Sequence, residues 1–427
     1  MFKVLIIAYY FPPMGLSGVQ RTLKFAKYMS KYNWAPTVIT SGKTGYYAHD
    51  DYMMREVENS DIKVIRTEAL DPNTILSKYG TITMPGEFVR KTLSNLSKTF
   101  IIPDNKINWA KKAYETAKEL LKKETFDVVF VTIPPYSAFH MAAKLKKEFN
   151  IPLIVDYRDL WYGNQFSFYP TAYHRLKHKK LEYLALKAAD KIITINRHIK
   201  EKLLTDFQFL TFSDILIIPQ GYDPEDFEKA TPIKLNENKL KITYSGIFYH
   251  TCTPKYFLRA FKEITIERPD IASNIELHFC GILRKENVKL IKKLGLQEYV
   301  REHGYLNHKE SLDYVLSSDV LWMMIGNMRS AETVSTGKLF EYIGTKKPIL
   351  ACVPEGAAKI ELQKYGASFI SEPDDIAAIK TNILQIHSLF KANKLPECNE
   401  EFVAKHNRIE LTEQLTTAFQ FHLKADL

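Results

Sequence analysis

Residues 3–40, KVLIIAYYFPPMGLSGVQRTLKFAKYMSKYNWAPTVIT, contain the pattern of one β-α-β unit. The aliphatic run at 3–8 predicts a strand buried on both faces, as in a parallel sheet covered by helices. A turn rich in glycine and proline follows at 11–18, and apolar residues then recur at helical spacing over 19–32. The run at 36–40 predicts the second strand. A strand, a glycine turn, a helix and a strand in this order build a Rossmann-like sheet.

The same alternation continues along the chain. Further strands are predicted at 63–66, 127–132, 153–156, 191–196 and 215–219, with helices at 106–123, 137–149 and 174–190. The pattern restarts with strands at 241–245, 275–280, 320–325 and 348–353 and helices at 254–267, 337–344 and 408–423. Strands that alternate with helices of this length predict parallel sheets with right-handed crossovers. The fold class is therefore α/β, with two Rossmann-like domains.

One segment interrupts the pattern. Residues 221–238, GYDPEDFEKATPIKLNEN, are polar, contain two prolines and show no periodicity, which is typical of an interdomain linker. We therefore predict an N-terminal domain over residues 1–220 and a C-terminal domain over 221–400. The helical segment in 401–427 is predicted to pack back on the N-terminal domain.

Composition excludes several classes of protein. With 45% apolar and 25% charged residues, the 427-residue chain is neither low-complexity nor collagenous, and its four cysteines lack the spacing of zinc or redox motifs. It contains no apolar stretch of about 18 residues that could span a bilayer. The short apolar run at the N-terminus fits a buried strand better than a signal peptide. We expect a cytoplasmic protein with reduced thiols.

The formal charge of +10 fits an acidic partner: nucleic acid, anionic lipid or a phosphorylated substrate. Solubility alone would explain the same charge. Nucleic acid is not expected as the partner, because no recognised nucleic-acid-binding module accompanies the charge.

The glycine turn is the first candidate binding site. Ligands of open α/β sheets bind beyond the C-terminal ends of the strands. Gly15 and Gly18 would let the backbone approach a ligand, and the helix that follows offers free N–H groups to an anion. The alternative is a tight turn that needs glycine for its own geometry. The spacing differs from GxGxxG, which argues against a dinucleotide-dependent dehydrogenase.

The second candidate is the segment 332–342, ETVSTGKLFEY. Ser335 or Thr336 would be a good N-cap for the helix that follows. The N–H groups around Gly337 and Lys338 would then face the C-terminal edge of the sheet, an arrangement that suits a diphosphate. The TGK sequence lacks the spacing of a P-loop, so an ATPase is not expected.

One basic and one acidic side chain, Lys338 and Glu341, extend this site. Lys338 could add a positive charge beside a phosphate. Glu341 falls about one helical turn later, where a carboxylate can accept hydrogen bonds from two adjacent hydroxyls such as those of a ribose. The alternative is a capped surface helix with a solvated glutamate.

Six motifs occur in a fixed order. They are YYFPPMGLSGVQR at 9–21, DYRDLW at 156–161, IIPQGYDPEDF at 217–227, YSGIFY at 244–249, SDVLWMM at 318–324 and STGKLFEYIGTKKPIL at 335–350. In this order the chain resembles the retaining family-4 glycosyltransferases of the GT-B fold, over nearly its whole length. Many such relatives build bacterial surface polysaccharides. The resemblance implies two facing Rossmann-like domains with an interdomain cleft.

The resemblance also implies the substrates. The C-terminal domain would bind a UDP- or GDP-sugar, the N-terminal domain would bind the acceptor, and transfer would retain the anomeric configuration. Neither a metal nor another cofactor is expected, because helix dipoles and basic side chains would offset the charge of the leaving diphosphate. A glycan or a polyprenyl-diphosphate-linked acceptor is the expected second substrate.

The resemblance assigns donor-binding residues as well. Glu341 would bind the ribose, and the glycine turn at Gly15 and Gly18 would approach the donor phosphates or the acceptor. The backbone over the diphosphate would come from the start of the helix, with a further glycine at the end of the first strand of the C-terminal domain. These positions are Ser335, Thr336, Gly337, Lys338, Leu339 and Gly246.

The sequence departs from the family at two places. The family often carries a second glutamate ahead of the one that matches Glu341. Counting back gives Thr333, with Glu332 one place away, so both are candidate catalytic residues near the donor sugar. The family also commonly carries an arginine after the glycine that matches Gly246, and a lysine soon after.

Those two basic positions hold Ile247 and, approximately, Cys252 in this chain. The charge on the leaving phosphate must then be offset by other residues, for which Lys338, Arg329 and Lys255 are the candidates. Because the usual pair is missing, a catalytically silent nucleotide-binding or scaffold subunit is an alternative function. A sugar-nucleotide epimerase of the same architecture is another.

The end of the strand at 153–156 supplies the candidates for the acceptor site. Asp159 is expected to contact the acceptor or the transferred sugar and is our catalytic candidate in this domain. Asp156 and Arg158 are expected to contact the acceptor, although a structural ion pair between Arg158 and an aspartate explains them equally well. His140 is a further acceptor candidate, and His308 is a candidate contact of the site.

Two basic segments of the N-terminal domain, 106–123 and 174–191, contain interleaved apolar and aromatic residues. A surface of this kind suits the anionic inner face of the plasma membrane, which would place the protein there as a peripheral protein. The alternative is that both helices simply present solvated faces.

Overall fold

The computed structural model describes residues 1–15, 17–43, 45–46, 48–68, 87–248 and 251–423. Leu16 of the glycine turn, Tyr249 of the YSGIFY motif and the last four residues of the predicted C-terminal segment lie outside them. The chain forms two compact units, one from Met1–Pro219 together with Arg408–Leu427, the other from Gln220–Asn407.

The first unit contains a parallel sheet of seven strands in the order β3-β2-β1-β4-β5-β6-β7. Its strands are β1 Phe2–Ile7, β2 Trp34–Ser41, β3 Lys63–Thr67, β4 Val128–Ile133, β5 Leu153–Tyr157, β6 Lys191–Thr194 and β7 Ile215–Ile217. The interior strand β1 pairs with β2 and β4, so that Ile7 lies beside Ile39 on one side and Val131 on the other. The aliphatic run of β1 is buried because helices cover both faces of the sheet.

The helices of the first unit follow the strands along the chain. They are α1 Ser17–Met29, α2 Asp51–Glu58, α3 Glu87–Phe100, α4 Ile107–Lys123, α5 Tyr136–Phe149, α6 Ala172–Ala188 and α7 Arg197–Asp206. The sequence pattern did not identify α2, α3 or α7.

The second unit contains a parallel sheet of six strands in the order β10-β9-β8-β11-β12-β13. These are β8 Leu240–Ser245, β9 Ile275–Cys280, β10 Val300–Gly304, β11 Val320–Met324, β12 Ile349–Cys352 and β13 Ser368–Ser371. The helices are α8 Pro224–Lys229, α9 Lys255–Glu267, α10 Pro269–Ala272, α11 Lys285–Leu294, α12 His308–Ser317, α13 Gly337–Gly344, α14 Ala357–Tyr365, α15 Ile376–Lys391 and α16 Glu400–Ala404. Two Rossmann-like domains with parallel sheets confirm the predicted fold class.

The segment predicted as the interdomain linker, residues 221–238, contains a helix. Asp223 accepts a hydrogen bond from the N–H of Glu225 and so caps α8, whose first residue is Pro224. Aspartate followed by proline is a recognised helix-start signal. The predicted linker segment therefore includes a short helix.

The last helix, α17 (Arg408–Gln420), belongs to the first unit. Phe419 is fully buried, with its ring centroid 5.1 Å from that of Trp34 and 5.4 Å from that of Phe130. The hydroxyl of Tyr32 also donates a hydrogen bond to the carbonyl of Ile409. In the described ranges, none of the helices has both the length and the apolar character needed to cross a bilayer.

Candidate functional site

The start of α13 carries buried polar atoms that make no hydrogen bond. Thr336 occupies the N-cap position with an extended backbone, but its side chain makes no capping bond. The hydroxyl oxygens of Ser335 and Thr336 are both buried, and neither has a partner among the described residues. A buried hydroxyl without a hydrogen-bond partner lowers the free energy of unfolding by about 1–3 kcal/mol, so such a group normally bonds to protein, water or a ligand. The first N–H groups of a helix likewise lack intrahelical partners.

Glycine backbone lines the strand ends beside this helix start. Gly246 follows β8 with φ +130°, a conformation that side chains rarely adopt, and Gly281 follows β9 with φ +136°. A Cβ on Gly281 would lie 2.3 Å from the carbonyl oxygen of Gly246. Glycine at these two positions therefore lets the ends of β8 and β9 come close together.

Lys338 lies directly against Gly246. A Cβ on Gly246 would lie 2.6 Å from the Nζ of Lys338, and that ammonium is 3.8 Å from the ring centroid of Tyr244. Burial lowers the pKa of Lys338 to about 8, although the nearby Cys252 and Glu341 oppose the shift. Lys338 thus brings a positive charge to the end of β8. The residue after Gly246 at this strand end is Ile247, where the family commonly has arginine.

The other basic candidates lie elsewhere in the unit. Arg329 is exposed. Lys255 is the first residue of α9, and its ammonium lies 5.0 Å from the ring centroid of Tyr256. Of the three candidate cations, Lys338 is the one that the structure places against the glycine at the end of β8.

Tyr342 connects α13 to β8. Its hydroxyl accepts a hydrogen bond of 2.8 Å from the backbone N–H of Ser245, and burial raises the pKa of the phenol. The bond fixes the end of β8 against the helix that carries Lys338. The sequence showed no signal for this role beyond the position of Tyr342 directly after Glu341.

Glu341 is paired with a histidine from another helix. Its Oε2 lies 2.8 Å from Nε2 of His308, which is the first residue of α12. The Nδ1 of the same ring lies 3.7 Å from a carboxylate oxygen of Asp226 on α8. The side chain of Glu341 is 15% exposed, so it can still be reached by a ligand.

Glu332 and Thr333 lie in a short turn ahead of α13. The hydroxyl of Thr333 donates a hydrogen bond of 2.8 Å to the carbonyl of Ser330. Glu332 is exposed, and its backbone packs on Gly356, where a Cβ would lie 2.3 Å from the Cα of Glu332. The turn is thus fixed through its backbone, while a contact of either side chain with a sugar stays a prediction.

The structure gives Asp156 a different role from the predicted acceptor contact. Its carboxylate is fully buried and accepts three hydrogen bonds of 2.9–3.1 Å from Arg21 and one from Thr132. Arg21 also donates to the carbonyls of Ile218 and Pro219. Because this carboxylate has no exposed surface within the unit, we correct Asp156 from an acceptor ligand to a structural ion pair.

Arg158 also makes structural contacts, but to backbone carbonyls. It donates hydrogen bonds to Ile133, Pro134 and Gly18 at 2.7–3.3 Å. The expected alternative, an ion pair between Arg158 and an aspartate, is not among the ion pairs of the described residues, where Asp156 pairs with Arg21 instead. The bond to Gly18 instead ties Arg158 to the first turn of α1.

Asp159 and His140 remain accessible. Asp159 is half-buried, and burial raises the pKa of its carboxyl, whereas Arg158 and a hydrogen bond from Gln165 oppose the rise. Burial lowers the pKa of the half-buried His140, with a further contribution from nearby Lys144 and Lys177. Both stay candidates for the acceptor site.

Gly15 and Gly18 of the glycine turn have different surroundings. The N–H of Gly15 donates a hydrogen bond of 2.9 Å to the carbonyl of Ala48, so Gly15 is part of the packed turn. Gly18 is exposed, lies outside the left-handed region, and an added Cβ would meet nothing within 4 Å. The explanation from turn geometry therefore does not account for Gly18, whose open side leaves room for a ligand.

The basic helices of the first unit also differ from expectation. In α4 the aromatic anchor Trp109 is buried in the core rather than exposed. Five of the exposed apolar residues lie on α3 and at the start of α6, two helices joined by a hydrogen bond between His174 and the carbonyl of Thr99. We call the following residues the apolar surface: Leu93, Leu96, Phe100, Tyr173 and Leu176, which are 56–78% exposed.

Two family models match the chain in succession. The model described as Glycosyltransferase Family 4 matches residues 78–226, and the model described as Glycosyl transferases group 1 matches residues 225–395. Together they cover well over half of the chain. No curated protein matches it in sequence.

Solved structures share the fold across the whole chain. A glycosyltransferase from Rickettsia africae is 16% identical with a TM-score of 0.65, covering 100% of this chain and 99% of that one. Sucrose-phosphate synthase from Thermosynechococcus elongatus is 13% identical with a TM-score of 0.67, covering 99% of each. HepE from Anabaena, solved with UDP-glucose, is 14% identical with a TM-score of 0.60, covering 99% of this chain and 100% of that one.

These comparisons agree with the two parallel sheets described above. The resemblance seen in the six sequence motifs is confirmed. The chain belongs to the family-4-like glycosyltransferases of the GT-B fold, and it is an enzyme of that kind.

Proposed function

We propose that this enzyme transfers a hexose unit from a UDP- or GDP-sugar to a glycan or polyprenyl-diphosphate-linked acceptor, with retention of configuration. The observation that carries the proposal is the start of α13, where the buried hydroxyls of Ser335 and Thr336 have no partner in the described part of the chain. Both hydroxyls and the first N–H groups of the helix can donate to the oxygens of a diphosphate.

The nucleotide would extend from this point along α13. Glu341 lies one helical turn into the helix and offers carboxylate oxygens to the two hydroxyls of a ribose. HepE was solved with UDP-glucose, which supports a UDP-sugar as the donor here. Gly246 has no side chain of its own to keep the donor from the end of β8, where the Nζ of Lys338 lies.

Charge on the leaving group would be offset without a metal. In the proposed reaction the bond from the sugar C1 to the diphosphate oxygen breaks and the acceptor oxygen bonds to C1, while the proton of the acceptor hydroxyl passes to the departing diphosphate oxygen. Lys338 and the helix start would stabilise the departing diphosphate. Glu332, Thr333 and Asp159 are the proposed contacts of the sugar and the acceptor.

The acceptor would be presented at a membrane. The apolar surface is flanked by exposed basic residues, namely Lys91, Arg175 and Lys177. Exposed apolar side chains beside basic ones suit an anionic lipid surface. This supports peripheral binding through α3 and the start of α6, whereas the predicted surface comprised the segments 106–123 and 174–191.

Calorimetry with UDP and GDP tests the nucleotide site. Glu341→Ala should weaken binding of the preferred nucleotide by about 1–3 kcal/mol, because hydrogen bonds to a charged group are lost. Glu267→Ala serves as the matched control, since this glutamate is 56% exposed on α9. Binding of neither nucleotide, or equal affinity of wild type and Glu341→Ala, would contradict the proposal.

A panel of nucleotide sugars, scored by released nucleotide, identifies the donor. Transfer should require an acceptor, and the product should keep the anomeric configuration of the donor. Interconversion of a nucleotide sugar without any acceptor would instead identify an epimerase.

A further inference from the structure

We propose that His308 is a positioning residue that orients the carboxylate of Glu341 for the ribose of the donor. This inference rests on the proposed function, in which Glu341 binds the ribose. It adds a residue from a different helix, 33 positions away in the sequence.

The contact itself determines which atom carries the proton. An ionised carboxylate only accepts hydrogen bonds, so Nε2 of His308 must be the donor in its 2.8 Å contact with Oε2 of Glu341. A carboxylate offers about four acceptor positions, of which His308 occupies one. Enough remain on Glu341 to accept from two ribose hydroxyls.

The ring of His308 is held in place by its surroundings. It is only 9% exposed and lies between Glu341 and the carboxylate of Asp226. The first turn of α12 is fixed by a capping box, in which Asn307 accepts from the N–H of Glu310 and Glu310 accepts from the N–H of Asn307. A donor held this firmly restricts rotation of the carboxylate that it binds.

The consequence is pre-organisation. Without His308, Glu341 would be free to rotate about its last side-chain bond and would lose orientation before the ribose arrives. Restricting a group in its binding conformation raises affinity by lowering the entropy lost on binding. The effect of His308 should therefore appear only for ligands that carry the ribose hydroxyls.

The experiment compares two ligands on four proteins. Whichever of UDP and GDP binds the wild type is titrated alongside its 2′,3′-dideoxy form, using wild type, Glu341→Ala, His308→Asn and His308→Gln. The amide nitrogen of glutamine reaches about as far as Nε2 of histidine, whereas that of asparagine reaches only as far as Nδ1. Thermal unfolding of each variant checks that it is folded.

We expect His308→Asn to weaken binding of the ribonucleotide about fivefold, as for a lost hydrogen bond of about 1 kcal/mol, and to leave the dideoxy form unchanged. His308→Gln should restore much of the loss. Equal losses for both ligands, or a glutamine variant as weak as the asparagine variant, would overturn the positioning role.

The outcome for Glu341→Ala separates the two proposals. If this variant loses affinity only for the ribonucleotide while His308→Asn does not, the ribose role stands and the role of His308 fails. If Glu341→Ala weakens both ligands equally, or if neither nucleotide binds the wild type, the ribose role fails and the role of His308 fails with it.

Discussion

Lys338 determines how charge at the helix start responds to pH. Its ammonium is packed between Gly246 and the ring of Tyr244, and burial brings the pKa to about 8 from its usual range near 10.4. The free protein therefore loses this charge as the pH rises through about 8. A bound diphosphate would favour the charged form and raise the pKa again.

The first prediction concerns nucleotide affinity. UDP binding should weaken as the pH rises from 7 to 9, and binding near pH 8 should take up a proton, because the complex holds Lys338 charged more firmly than the free protein does. Calorimetry in buffers of different ionisation enthalpy measures the uptake. Lys338→Arg keeps its charge over this range and should remove the dependence. An unchanged pH dependence in that variant would assign the effect to another group.

The ionisation of Lys338 also makes the free energy of unfolding depend on pH. Because the pKa of Lys338 is lower in the folded than in the unfolded chain, the unfolded state binds more protons between about pH 8 and 10. The contribution of Lys338 to the free energy of unfolding therefore rises with pH across that window. Its burial as a cation below pH 8 opposes folding.

A second prediction contrasts two glycines. Gly246→Ala should lower the free energy of unfolding by about 1–3 kcal/mol, because φ there is +130° and the new Cβ would lie 2.6 Å from Nζ of Lys338. Gly18→Ala is the matched control, since its Cβ would meet nothing and its φ suits alanine. It should keep or slightly raise stability. Urea unfolding of both variants provides the comparison, and equal effects would refute the argument.

At the scale of elements, α3 is the helix with an exposed apolar stripe. Leu93, Leu96 and Phe100 recur at helical spacing and are 58%, 56% and 78% exposed. In the longer helix α4, by contrast, the side chain of Trp109 is buried in the core. An exposed stripe of this kind is unfavourable in water unless another surface covers it.

The third prediction tests that stripe. Replacing Leu93, Leu96 and Phe100 together by serine should abolish flotation with vesicles that contain anionic lipid and leave the unfolding transition unchanged, because these side chains contribute little to the core. As a control, Lys111→Ser and Lys112→Ser on α4 should float as the wild type does. Flotation of the triple variant at wild-type levels, or no flotation of the wild type, would exclude this surface.

Elements with strong sequence patterns were predicted well. The bounds of β9 and α13 are those expected from the sequence. The apolar run of β9 and the glycine followed by apolar residues in α13 are local patterns, so neighbouring residues alone determine where these elements begin and end. β10, VREHG, was missed because it is an edge strand and Val300 is the one buried residue among its five. α11 was missed because its apolar residues are interspersed among five lysines and glutamates that face solvent.

The candidate site was predictable only where its parts are close in sequence. Lys338 and Glu341 lie on one short helix, so spacing alone placed them together. The contact of Glu341 with His308 and the ion pair of Asp156 with Arg21 join residues 33 and 135 positions apart. Such contacts depend on how helices pack and leave no local pattern in the sequence.

For the molecule as a whole, the first unit is built from two separate stretches of the chain. The chain leaves the first unit after Pro219, forms the whole second unit, and returns at Arg408. The last helix then fills the core of the first unit with Phe419, which packs against Trp34 and Phe130. The stability of the first unit therefore depends on residues at the far end of the chain.

The fourth prediction tests this dependence. Phe419→Ala should cost the first unit about 3–5 kcal/mol, because a fully buried aromatic ring is removed. Phe421→Ala is the control, since that ring is 82% exposed two residues later. Hydrogen exchange should accelerate in β1 and β4 of the first variant while β8 and β11 keep their protection. Equal acceleration in both units would contradict it.

The return of α17 also sets an order of events during translation. The strands of the first unit leave the ribosome early, but Phe419 cannot cover Trp34 and Phe130 until α17 has been synthesised. The second unit, which is continuous in sequence, can be completed before that moment. A nascent chain would thus finish its middle part first and its beginning last, the reverse of the usual N-terminal-first order. A premature stop codon ahead of α17 would leave the earliest-made unit permanently incomplete.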